Sequence, residues 1–169
     1  LVGSEMCIRD SCKMVQAQDG VSVESDTLGA LLYPLEGDTF ALDMVIKPER
    51  YHEFGIALHV DKELETGYFL RMNPKNQLVA WDMWPRGEQG RYQWQIKGDV
   101  PYQIETARKL PKAEEYRVHI IKEKDICVVY INDEIVLSTR MYNHKDGYAG
   151  IYVVQGNVKL IQYKEKRSE

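Results

Sequence analysis

The chain has 169 residues, 44% of them hydrophobic and 28% charged, enough for one domain with its own core and too few for two comfortable ones. With 22 basic against 26 acidic residues the net charge is −4, so the sequence offers no basic footprint for nucleic acid or an anionic membrane. No apolar run approaches the roughly 20 residues of a spanning helix, and Cys7, Cys12 and Cys127 are too few and too unevenly placed for a disulfide framework or a zinc site.

The opening residues 1–11 contain neither a basic segment followed by an apolar core nor a small-residue cleavage site, so they do not form a signal peptide. In order and composition they resemble the translation of sequencing-adapter DNA at the edge of an assembled contig. Residues 1–12 are therefore read as a non-native or disordered leader that does not pack, 13–163 as a single domain, and 164–169 as a charged tail.

From Lys13 onward period-two alternation recurs at short intervals and helical periodicity is almost absent. Phe40, Leu42, Met44 and Ile46 alternate with Ala41, Asp43 and Val45, and Pro48 is expected to stop that strand because it has no amide hydrogen. Phe54, Ile56, Leu58 and Val60 resume the pattern, residues 61–67 form a loop, and Tyr68 to Met72 a further strand. Asn73-Pro74-Lys75-Asn76 supplies a turn, since proline presets φ and asparagine tolerates the left-handed region. Leu78, Ala80 and Asp82 then alternate with Val79, Trp81 and Met83, and Arg91 to Ile96 follows beyond a Gly87 to Gly90 loop. Residues 98–113, with Pro101 and Pro111, read as loop. Tyr116 to Ile120, Ile126 to Ile131 and Glu134 to Met141 are strands, the last two joined by an Asn132-Asp133 hairpin turn. Gly147 to Val154 and Val158 to Tyr163 close the chain around a Gln155-Gly156-Asn157 turn. Ten or eleven short strands at this spacing predict an all-β fold, a two-sheet antiparallel β-sandwich of the concanavalin-like jelly-roll kind.

Chemistry-bearing patterns are sparse. His52, His59, His119 and His144 show no metal-ligand spacing, no serine sits in a nucleophile elbow, and no glycine-rich loop opens a helix, so neither a metal nor a cofactor is expected. Cys127 lies mid-strand among Ile126, Val128 and Val129 and reads as an inert buried thiol. Glycoside hydrolysis needs two facing carboxyl groups. Asp82 and Glu88, beside an aromatic cluster, are the best pair the sequence offers, and acids near turns are ordinarily just solvated. The informative patch is Trp81, Asp82, Trp84, Arg86 and Glu88 with Tyr92 and Trp94, which gathers all three tryptophans within fourteen positions. Tyr68 and Arg71 are further contributors. Aromatic faces with carboxylates and guanidinium groups at their rim suit an oligosaccharide, and large aromatics equally suit packing against another domain. Both readings stand on the sequence alone.

The run Tyr130-Ile131-Asn132-Asp133-Glu134-Ile135-Val136-Leu137-Ser138-Thr139-Arg140-Met141-Tyr142, followed by Gly147-Tyr148-Ala149-Gly150-Ile151-Tyr152-Val153, resembles the end of the C-terminal β-sandwich of glycoside hydrolase family 32, the invertases, levanases and sucrose-6-phosphate hydrolases. Asp133 stands where that pattern often has glycine. The resemblance implies a non-catalytic domain docked on an N-terminal catalytic propeller of the same chain. That family's catalytic Trp-x-Asn-Asp-Pro, Arg-Asp-Pro and Glu-Cys motifs do not occur here, and Trp81-Asp82-Met83-Trp84-Pro85 lacks both the asparagine and the Asp-Pro junction. The expected partners are that missing domain and an oligosaccharide, the latter a fructan or another glycan.

Overall fold

The computed structural model of the chain describes residues 6–8, 12–84, 102–142 and 144–167. Among these it has twelve strands: β1 (Met6–Ile8), β2 (Lys13–Ala17), β3 (Gly20–Pro34), β4 (Thr39–Arg50), β5 (Glu53–Val60), β6 (Gly67–Asn73), β7 (Leu78–Trp84), β8 (Tyr102–Gln103), β9 (Tyr116–Glu123), β10 (Ile126–Ile131), β11 (Ile135–Arg140) and β12 (Tyr148–Arg167). All pair antiparallel, and they form the two-sheet β-sandwich that the alternation predicts.

Two long strands belong to both sheets. The first part of β12, up to Val154, lies between Leu28–Pro34 of β3 and the whole of β5, and β6, β7 and β8 follow outward from β5. Beyond Gly156 the same strand lies between the start of β3 and β4, and β9, β10 and β11 follow outward from β4. The register shift between Val154 and Gly156, with Gln155 at φ 51, marks the corner where one sheet passes into the other. Gln155-Gly156-Asn157, expected as a hairpin turn, is thus a bulge inside a continuous strand. A bulge and a turn call for the same residue types, and the two sheets' shared need for a middle strand selects the bulge.

The core lies between the layers. Phe54, Ile56 and Leu58 of β5, Leu70 of β6 and Trp81 of β7 face Leu42, Met44 and Ile46 of β4, Val118 and Ile120 of β9 and Val129 of β10, all of them buried. Tyr33 and Tyr163 stack across it at 4.1 Å. In β9 buried and exposed residues alternate, the mark of a sheet with one wet face, whereas β5 and β7 are buried on both faces.

Other expectations need correction. Pro48 does not end β4, which continues to Arg50. Pairing with β9 stops at Ile46, so a missing N–H beyond that point leaves no ladder bond unmade on that side. Within the segment read as loop, Tyr102 and Gln103 pair with Met83 and Asp82. The charged end continues β12, with Lys164 to Arg167 paired to Asp43 through Phe40. Met6–Ile8, in the leader expected not to pack, pairs with Ala30–Leu32 of β3. An open sheet edge presents unpaired N–H and C=O groups with which an extended segment can pair. The strand expected over Arg91 to Ile96 lies outside the described residues. The Asn132-Asp133 hairpin is as expected, with φ of 50° and 57°, and the Asn132 carboxamide oxygen accepts from the Arg117 amide at 2.7 Å.

Candidate functional site

The site is on the outer face of the first sheet. Strand register puts Glu53, Gly55 and Ala57 of β5, Phe69 and Arg71 of β6, Ala80, Asp82 and Trp84 of β7, and Tyr152 and Val154 of β12 on that face. Ala30, Ala57 and Ala80 keep the floor low, and the larger side chains stand around it. The result is a groove of about 190 Å3 lined by Leu28, Glu53, Leu64, Phe69, Asp82, Trp84, Tyr152 and Val154. Leu64 comes from the loop after β5. There the Asp61 carboxylate accepts from the amides of Glu65 (2.7 Å) and Thr66 (3.1 Å), and the tight turn carries Leu64 at φ 57 into the apolar cluster with Ala30, Leu32, Ala57, Val60 and Tyr152.

Two polar pairs sit in this apolar setting. Arg71 Nε donates to Asp82 Oδ2 at 2.9 Å, and the Tyr152 hydroxyl donates to Glu53 Oε2 at 3.3 Å, joining residues 99 positions apart. Burial raises the Asp82 carboxyl above the usual carboxylate range, against the pull of Arg71. Glu53 is raised too, by burial first, with Arg71 and the Tyr152 hydroxyl opposing and Asp82 adding to it. Burial works against the Arg71 cation and Asp82 outweighs it. The Tyr152 hydroxyl, shut from water and facing carboxylates, is pushed well above its ordinary value and stays a donor. The Phe69 ring meets the Tyr152 ring edge-on at 5.4 Å, which fixes both. The arrangement is a shallow apolar slot with two carboxylates at its wall and the Arg71 guanidinium held against one of them, so acceptors and donors stand together.

The sequence patch divides here. Trp81 is fully buried in the core with Val79 and Met83, and Tyr68 is buried beside it, so neither ring is open to a ligand. Asp82 and Trp84, on the opposite parity of the same strand, line the groove. Arg71 joins them through its ion pair with Asp82. Arg86, Glu88, Tyr92 and Trp94 lie outside the described residues. Glu53, Leu64, Phe69 and Tyr152 carry no sequence signal of their own, because only long-range pairing brings them to the slot. Parity with Asp82 across the β6–β7 hairpin could have pointed to Phe69.

Among the described residues no group of three or more His, Cys, Asp or Glu side chains could hold a metal ion, and no helix is long and apolar enough to cross a membrane. Cys127 is buried and its thiol is pushed up to about 12 by desolvation.

The sequence matches no protein-family model and no curated protein. Solved structures share the fold. A carbohydrate-binding module, CBM66, from Bacillus subtilis superposes with a TM-score of 0.78 at 16% identity, over 98% of this chain and 96% of that one. The galectin LEC-6 of Caenorhabditis elegans gives 0.57 at 12% identity over 80% and 89%. The exoplasmic/lumenal domain of VIP36, in a Ca2+- and Man3GlcNAc-bound form, gives 0.63 at 11% over 94% and 82%. At these identities the likeness establishes the fold, a β-sandwich of the carbohydrate-binding-module and galectin kind.

Proposed function

We propose that the chain is a non-catalytic carbohydrate-binding β-sandwich that holds an uncharged glycan, a fructan or another neutral saccharide, in the groove on its first sheet. The observation that carries this reading is the groove itself, where the Arg71–Asp82 and Tyr152–Glu53 pairs stand beside Phe69 and Trp84 in one slot of about 190 Å3. Saccharide hydroxyls donate and accept, which matches carboxylates beside a guanidinium, and the apolar C–H face of the ring suits an aromatic edge. Two carboxylates against one cation disfavour a uronate or sulfated sugar by like charge. The carbohydrate-binding module and the Man3GlcNAc-bound domain among the structural neighbours support the same ligand class. A second reading, favoured by the run Tyr130 to Tyr142, is a domain that docks on and stabilises a family-32-like catalytic propeller.

Titration calorimetry with neutral oligosaccharides should give millimolar to micromolar affinity, about −4 to −8 kcal/mol. Affinity for uronate oligomers of equal length should be at least about ten-fold weaker, and Asp82→Asn should cut the neutral affinity by a similar factor. No sugar should be released during these incubations, because Asp82 is engaged by Arg71 and Glu53 by Tyr152. Release that Glu53→Gln abolishes would make the groove an active site, and equal affinity for uronates would remove the charge argument.

A further inference from the structure

The outer face of the second sheet is the wet face, and its residues form rows across five strands. In one row Lys164 of β12 stands beside Asp43 of β4, Asp43 beside His119 of β9, His119 beside Tyr130 of β10, and Tyr130 beside Val136 of β11. His119 Nδ1 and Asp43 Oδ1 are 2.5 Å apart, a contact that fixes the imidazole. The His119 and Tyr130 rings are neighbours at 6.1 Å, with their planes tilted by 35°. Tyr130 is 38% exposed and Ile121 beside it 42%, so both side chains are open to a ligand. An open groove of about 710 Å3 runs over this row, with Arg117 and Gln162 at its rim.

We propose that this face is a second saccharide-binding surface, in which the Tyr130–His119 platform stacks on a sugar ring while Asp43, Gln162 and Arg117 hydrogen-bond its hydroxyls. The geometry offers an exposed tyrosine ring beside an imidazole, a carboxylate in contact with the imidazole, and an amide and a guanidinium within one groove. A docked protein domain would call for a broader apolar centre. Here Asp43, Arg117, Asp133 and Gln162 line the groove together with His119, Tyr130 and Ile121. Its greater volume suits more of a chain than the slot on the first sheet. Because the two sites face away from each other across the sandwich, one molecule engages two strands of a polysaccharide, and avidity on an insoluble glycan exceeds the affinity of either site. The choice of ligand class rests on glycan recognition by the groove; the existence of a second surface does not.

The test is calorimetric stoichiometry with fructo-, manno-, xylo- and cello-oligosaccharides, using wild type, Arg71→Ala in the groove, Tyr130→Ala, and the double variant, each confirmed folded by circular dichroism. Two sites in wild type, one in each single variant and none in the double variant are expected, with Tyr130→Phe retaining the second site. One site that Arg71→Ala alone abolishes would overturn this inference and leave the groove reading intact. One site that Tyr130→Ala alone abolishes would retain the inference and remove the groove. Self-association that Tyr130→Ala abolishes, without any sugar heat, would make this face a protein interface and overturn the inference. A folded wild type that binds none of the panel overturns both readings.

Discussion

Replacing Gly150 by valine should destabilise the fold by about 3 kcal/mol or more, at the upper end of what overpacking costs. A Cβ at position 150 would stand 1.9 Å from the Leu31 carbonyl oxygen, 2.9 Å from its carbon and 3.1 Å from the Leu32 Cα. These are backbone atoms of β3, paired with β12 at Gly150–Leu32 and Ile151–Leu31, so relief requires β3 and β12 to part. On its other side Gly150 sits at the register shift against β5, where it pairs with Ala57. The same closeness keeps the groove floor low. Alanine already carries the offending Cβ and should cost nearly as much. Urea denaturation measures the loss, and a value below about 1 kcal/mol would mean that β12 does not run this close to β3.

Acidification should cost stability through His59. Its side chain is only 3% exposed, and Nδ1 lies 2.8 Å from the Asp146 carbonyl oxygen, which can only accept, so the neutral ring carries its proton there. Burial lowers its pKa from 6.5 to about 4, with the backbone bond to Asp146 opposing and Lys122 reinforcing the shift. Between those values the unfolded chain binds the proton and the folded one does not, so stability falls as pH drops from 6.5 to 4. The full shift is worth about 3 kcal/mol. His144, also lowered by burial, acts in the same direction. Glu53 and Asp82, raised in the folded state, gain protons on folding and offset part of the loss at the acid end. Urea midpoints measured between pH 7.5 and 5 should therefore fall, and His59→Gln, which cannot titrate, should flatten most of that slope. An unchanged slope would place the His59 ring in water.

The sandwich is legible in the sequence because half-buried strands write their pattern locally. Phe40 to Ile46 and Tyr116 to Ile120 alternate, and Asn132-Asp133 supplies two residues that tolerate positive φ. What local pattern does not carry is the path of β12, since Gln155-Gly156-Asn157 reads as a turn wherever no neighbouring strand is known. The tryptophan cluster shows the same division at the site. Alternation places Trp81 with Val79 and against Asp82 and Trp84, but it does not say which set faces inward when both faces of β7 are covered. Packing of Trp81 between the sheets decides it. Glu53, Arg71 and Tyr152 become neighbours only through the β12–β5–β6 ladder, a contact order no window of sequence contains.

Tryptophan fluorescence during a neutral-oligosaccharide titration tests the groove most directly, because Trp84 lines it and Trp81 is sealed in the core. Saturable quenching or enhancement is expected in wild type, largely lost in Trp84→Phe and absent in Arg71→Ala, with both variants folded. Fluorescence that stays flat across fructo-, manno-, xylo- and cello-oligosaccharides in a folded wild-type protein, or a signal that survives both substitutions, would contradict the assignment of this groove to saccharide binding.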